Sequence, residues 1–142
     1  MSPEELKAKD RRVTEAMNQR NLAVFDELCA PDMVVHSANM TTQGVEAYKQ
    51  ALAQAFTAFH DLQFTIEDQL AEGDKSVIRF TESGTHQGDL MGIPATGKQY
   101  HGTGISIVRH DANGKTAEVW INSDDLGMLQ QLGVIPAPGQ AS

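Results

Sequence analysis

The sequence predicts an α+β fold in which N-terminal helices pack on one face of a curved, mostly antiparallel sheet. Three observations lead there. Apolar residues recur at helical spacing up to His60, most clearly Val45, Tyr48, Leu52, Phe56 and Phe59. After Asp61 the period changes to two, with Leu62, Phe64 and Ile66 alternating with Gln63, Thr65 and Glu67. Turn signals at Glu72-Gly73-Asp74 and Asn113-Gly114 then punctuate the later strands. Helices followed by a meander is the order of an α+β domain, and 142 residues suit one such domain spanning 1–142.

Each element has its own local cause. Ser2, Pro3 and Glu5 predict a helix start: Ser2 as cap, Pro3 in the first turn, Glu5 closing a capping box. That helix runs to about Asn18, with Leu6, Val13 and Met17 inward. Asn21 is expected to cap a second short helix, Leu22 to Cys29, stopped before Pro31. Met33 to His36 reads as a short strand and Gly44 to His60 as a long amphipathic helix. Strands follow at Ser76 to Thr85, Gln99 to Arg109 and Ala117 to Asp124, with a Gly-rich segment from Gln87 to Lys98 between the first two. A short helix from Asp125 to Leu132 ends at Gly133, and 136–142 read as a flexible tail. A curled sheet with a helix across its concave side leaves an open end suited to a small molecule.

Composition narrows the function. The formal net charge of −8 opposes binding to nucleic acid or to an anionic membrane surface. No apolar run approaches the ~20 residues of a membrane span, and the charged N-terminus is not a secretory signal. Cytoplasmic residence is therefore expected. Cys29 is the lone cysteine, so no internal disulfide forms, and its amphipathic setting favours packing over nucleophilic chemistry.

The strand from Ala117 to Asp124 carries the candidate chemistry. Alternation places Ala117, Val119, Ile121 and Ser123 on one face and Glu118, Trp120, Asn122 and Asp124 on the other. The second face mixes carboxylates, an amide and an indole, which suits a half-wet pocket. Asp124 beside Trp120 is a candidate general base, because burial raises a carboxyl pKa toward neutrality. The alternative is that Asp124 or Asp125 caps the helix that follows. His36, His86 and His101 lie on or beside different strands and are candidate donors to an oxyanion. His60 and His110 flank turns and are expected in solvent. Arg79, if inward, needs a carboxylate, and Glu118 is the candidate partner. The five histidines show no i,i+4 ligand pair and no H-E-x-x-H, so no metal is expected. Neither a G-x-S-x-G nor a phosphate-binding glycine motif is present.

The segment G-T-H-Q-G-D-L-M-G-I-P-A-T-G-K (Gly84 to Lys98) resembles the G-T-H-x-G-x-x-x-G-x-P-x-T-G segment of SnoaL-like polyketide cyclases. E-V-W-I-N-S-D-D-L-G-M-L-Q-Q-L-G (Glu118 to Gly133) is similar to that family's E-x-W-x-x-x-D-x-x-G-x-x-x-Q-L-G ending. Ala71 to Thr81 and Val34 to His36 also fit. The resemblance implies the cone fold shared with ketosteroid isomerase, scytalone dehydratase and nuclear transport factor two. It implies a deep apolar pocket, a small apolar ligand, no cofactor, and a homodimer or tetramer joined through the sheet, placed here on the Val119 and Ile121 face. It makes Asp124 the base that removes a proton next to a carbonyl, before an aldol-type ring closure. His36, His86 and His101 are then the catalytic partners, and Trp120, Asn122, Arg79, Phe56 and Glu118 the substrate-binding candidates. Other cone enzymes, an isomerase, dehydratase or epoxide hydrolase, and a non-catalytic ligand-binding module are the alternatives.

Overall fold

The computed structural model describes residues 1–38 and 40–139. Helix α1 spans Pro3–Asn18 and starts on the expected capping box: the Ser2 hydroxyl accepts from the Glu5 N–H, and the Glu5 carboxylate accepts in return. It ends in a Schellman motif. Arg20 adopts a left-handed φ of 61°, its N–H reaches the Met17 carbonyl, and the Asn21 N–H reaches Ala16. The Arg20 guanidinium also donates to the carbonyls of His60 and Leu62, which clamps the end of α1 to the loop before the sheet. Asn21 thus terminates one helix and makes no side-chain cap for another. The expected helix from Leu22 to Cys29 resolves into a 3-10 turn, Leu22–Val24, and the single turn of α2, Phe25–Leu28.

Cys29 opens strand β1, Cys29–Ser37, longer than the sequence suggests, and the edge strand β2, Met40–Gln43, was not anticipated. Helix α3 is Val45–Ala58, followed by β3 Gln63–Glu72, β4 Lys75–Thr85, β5 Gln99–His110, β6 Thr116–Ser123 and α4 Asp125–Gln131. Pro136 to Gly139 carry neither helix nor strand, and the rest of the expected tail lies outside the described residues. The six strands form one curved, unclosed sheet in the order β2-β1-β6-β5-β4-β3. All pairs are antiparallel except β1 with β6, which runs parallel with Val35 opposite Val119.

Burial alternates along β5 from Tyr100 to His110, so even-numbered residues face the helices. At Ala117 a bulge interrupts the β5–β6 register: His110 pairs with Thr116 but Arg109 with Glu118. Thr116, Val119 and Ile121 consequently reach the concave side together. There they meet α1 and α3, whose Val13, Met17, Tyr48 and Leu52 pack around Phe25 and Met33. A second cluster, Ala58, Phe59, Leu62, Tyr100 and Leu132, brings α4 and the end of α3 over one end of the sheet.

Candidate active site

The concave side does not fill with side chains. A cavity of about 310 Å³ remains between the sheet and helices α1 and α3. Its walls are largely apolar, with Leu52, Phe80, Val119 and Ile121 among them, and its polar groups are Glu82, Tyr100, Asp10, Ser106, Thr14, Thr116, the Tyr48 hydroxyl and the Cys29 thiol. Burial raises that thiol's pKa to about 12, so Cys29 is neutral wall and not nucleophile.

Glu82 and Tyr100 form a hydrogen-bonded carboxyl–phenol pair in the cavity wall. Ile78, Phe80 and Glu82 share one parity of β4, so the strand that carries two core residues inward carries the carboxyl inward with them. The Tyr100 hydroxyl donates to Glu82 Oε1 in a short hydrogen bond. Burial raises the Glu82 pKa above the ordinary carboxylate range, with the Tyr100 hydrogen bond pulling the other way and the Asp125 charge adding to the rise. Burial also raises the Tyr100 phenol, followed by its bond to Glu82 and the nearby charges of Asp125 and Asp124. Glycine makes the geometry possible. A Cβ on Gly102 would overlap the Tyr100 hydroxyl, and one on Gly104 would enter the Phe80 ring. Tyr100 lies along β5 because position 102 has no side chain.

Several residues singled out in the sequence lie elsewhere. Asp124 is exposed and caps α4, its Oδ1 accepting from the Gly127 N–H at 2.9 Å; it is not among the residues lining the cavity. His86 is fully buried, but its Nδ1 accepts from the Thr96 N–H at 3.2 Å and its ring packs on Phe59. It fastens the 86–98 loop, with backbone bonds to Lys98 and Gly97 on either side. His101 is exposed, and its backbone exchanges two hydrogen bonds with the Gln131 side chain. Phe56 lies beneath the Arg20 guanidinium, 3.9 Å from ring centre to Cζ, outside the cavity lining.

The face assignment on β6 is reversed. Val119 and Ile121, expected at a subunit contact, line the cavity, and Glu118, Trp120 and Asn122 look outward. On that convex face His36 Nε2 meets Glu118 at 2.7 Å, Arg109 reaches the other Glu118 oxygen at 3.3 Å, and His36 stacks on Trp120. These partners, His36 first, hold the Glu118 carboxyl below its ordinary pKa. His36, Trp120 and Asn122 line only a shallow outer depression. Arg79 pairs with Asp68 at 2.7 Å on the same convex side and not with Glu118. Among the described residues no arginine lines the cavity, so the Asp–Arg–Asp network that an epoxide hydrolase would require is not assembled there. His110, expected in solvent, is 3% exposed against Asp10. Among the described residues, no group of three or more His, Cys, Asp or Glu is placed to hold a metal ion, and no helix is long and apolar enough to cross a membrane.

Reasoning from sequence missed Glu82 and Tyr100. The signal was present in the shared parity of Ile78, Phe80 and Glu82, and in that of Tyr100 with Ser106 and Val108. A carboxyl in phase with core residues is costly unless the fold has a use or a partner for it.

The fold is an α+β cone around an apolar cavity that holds one hydrogen-bonded carboxyl–phenol pair. The model of the SnoaL-like polyketide cyclase family matches residues 7–132, and the chain belongs to that family. Among solved structures it is similar to AclR of Streptomyces galilaeus, a candidate hydroxylase, at TM-score 0.86 and 27% identity over 98% of this chain and 87% of that one. TsrD of Streptomyces laurentii matches at TM-score 0.86 and 27% identity, covering 95% and 99%. IdmH of Streptomyces antibioticus, a candidate polyketide cyclase, matches at TM-score 0.80 and 28% identity, covering 90% and 98%. No curated protein matches the chain.

Proposed function

We propose that this protein is a cofactor-independent enzyme of SnoaL-like type that abstracts a proton next to a carbonyl in a small apolar compound, with Glu82 as the base. The Glu82–Tyr100 hydrogen bond inside an apolar cavity carries this reading. A carboxyl whose pKa is raised by burial is a stronger base toward carbon when ionised. A bound carbonyl oxygen competes for the Tyr100 hydroxyl, which frees a lone pair on Glu82. Glu82 takes the proton from carbon, the C–H electron pair moves onto the carbonyl oxygen, and the phenol donates to that oxygen. The enolate carbon then attacks a second carbonyl of the same molecule, whose π pair moves to oxygen and takes the proton from Glu82, as in a cyclase, or a conjugated carbon of the enolate takes that proton, as in an isomerase. Asp124, the base expected from the family motif, contributes charge at the rim and the cap of α4 in this scheme.

The test is hydrogen–deuterium exchange at the carbon next to the carbonyl of 2-tetralone in D₂O, followed by NMR. The protein should accelerate exchange above buffer, and Glu82→Gln should remove about 100-fold or more of that acceleration. No acceleration, or an undiminished rate in Glu82→Gln, defeats the assignment. Binding of 2-tetralone without exchange would favour the non-catalytic reading.

Self-association belongs to the same proposal, moved to the convex face. Ile107 and Trp120 are direct cross-strand partners there, 39% and 37% exposed, with Ile105 beside them at 52%. Cytoplasmic residence also remains part of the proposal, supported by the net charge and by Cys29 kept as a buried free thiol.

A further inference from the structure

The cavity has a second polar end that the Glu82–Tyr100 chemistry leaves unused. Asp10 projects from α1, lines the cavity and is 2% exposed. Its Oδ1 stands 3.4 Å from His110 Nε2, and the same ring nitrogen lies 3.1 Å from the Ser76 hydroxyl. Among the described residues, Asp10 Oδ2 has no hydrogen-bond partner, and neither has His110 Nδ1. The contact with His110 ties α1 to the sheet and accounts for one carboxyl oxygen. It does not account for the other. A buried oxygen without a partner destabilises the fold, and a leucine would occupy this helix position without that penalty.

The two polar ends are well separated. Ser76 and Glu82 are six residues apart on β4, about 20 Å at the rise of an extended strand. Between them the wall is mainly apolar, with Ile78, Phe80, Val108 and Val119 facing the cavity beside the Ser106 hydroxyl. Ser76 and the backbone of Asp74 hold His110, and His110 in turn orients Asp10.

We propose that Asp10 Oδ2 is a ligand-binding group that accepts a hydrogen bond from a hydroxyl of the substrate. The substrate class is then an elongated apolar carbonyl compound with a hydroxyl or phenol at the end remote from the reacting carbonyl. The choice of which end reacts rests on the Glu82 reading; the hydroxyl site itself does not.

The experiment compares the Kd of 2-naphthol and 2-methylnaphthalene by ligand fluorescence. The two probes share a ring system and differ by a hydroxyl against a methyl group. A pocket with no partner for the hydroxyl favours the methyl compound, since burying an unpaired hydroxyl is unfavourable. Wild-type protein should bind 2-naphthol at least about tenfold more tightly. Asp10→Leu should abolish or reverse that preference, and Asp10→Ala gives the same reading if the leucine variant does not fold. Glu82→Gln should keep the preference, so that loss of exchange in 2-tetralone and loss of hydroxyl recognition are separate results. Overturning outcomes are no preference for 2-naphthol in the wild type, no binding of either probe, or a preference that survives in the Asp10 variants and vanishes in Glu82→Gln.

Discussion

Asparagine and alanine at position 124 separate the two roles that a strand-end aspartate can have. Asp124 Oδ1 accepts from the Gly127 N–H at 2.9 Å, and a Cβ on Gly127 would overlap the Asp124 carboxyl, so the cap is closely fitted. The helix it starts leads into Leu132, which is 1% exposed against Phe59 and Tyr100. Asparagine caps about as well as aspartate, while alanine loses about 1 kcal/mol. For a domain of this size that is a fall in Tm of about 4 °C. Asp124→Asn keeps the cap and gives up at most about 0.5 kcal/mol of favourable charge at the helix N-terminus. The expected results are therefore a lower Tm in Asp124→Ala, a nearly unchanged Tm in Asp124→Asn, and 2-tetralone exchange within a few-fold of wild type in both. Circular dichroism melts and NMR exchange rates measure them. If Asp124 were the base, Asp124→Asn would lose about 100-fold or more in rate with no change in Tm. That outcome would refute the assignment of the chemistry to Glu82.

Two further predictions follow from the same geometry. Because burial raises the Glu82 pKa in the folded state, the folded protein holds this proton more tightly than the unfolded chain; the stabilisation is full below the ordinary glutamate pKa and is lost as pH rises through the raised one. The difference between wild-type and Glu82→Gln denaturation free energies across that window should fall with pH, while exchange activity rises through it; a flat difference profile contradicts the raised pKa. Ile107→Glu, on the convex face opposite Trp120, should convert an associated wild type to monomers by sedimentation while leaving the melt within about 0.5 kcal/mol, as for an exposed site; unchanged sedimentation of an oligomeric wild type would place the contact elsewhere.

The sequence by itself determined much of the local structure and the family. Ser2, Pro3 and Glu5 fix the start of α1 because capping is a four-residue event. Gly73-Asp74 and Asn113-Gly114 fix turns for the same reason, and β5 alternates as its residues do. The motifs at Gly84 to Lys98 and Glu118 to Gly133 identify the SnoaL-like family. What the tertiary structure decided was the side of the sheet on which each face lies. The β6 alternation offers two faces, and its mix of carboxylates, amide and indole points to the polar one as a half-wet pocket. The fold turned the apolar face inward instead: Val119 and Ile121 gain burial against α1 and α3, and Glu118 keeps its charge by meeting His36 and Arg109 outside. The polar groups of the cavity come from elements distant in sequence, Asp10 on α1, Glu82 on β4 and Tyr100 on β5. That they face one cavity depends on sheet curvature and, for Tyr100, on the missing side chain at Gly102, and neither is encoded in any one stretch of the chain.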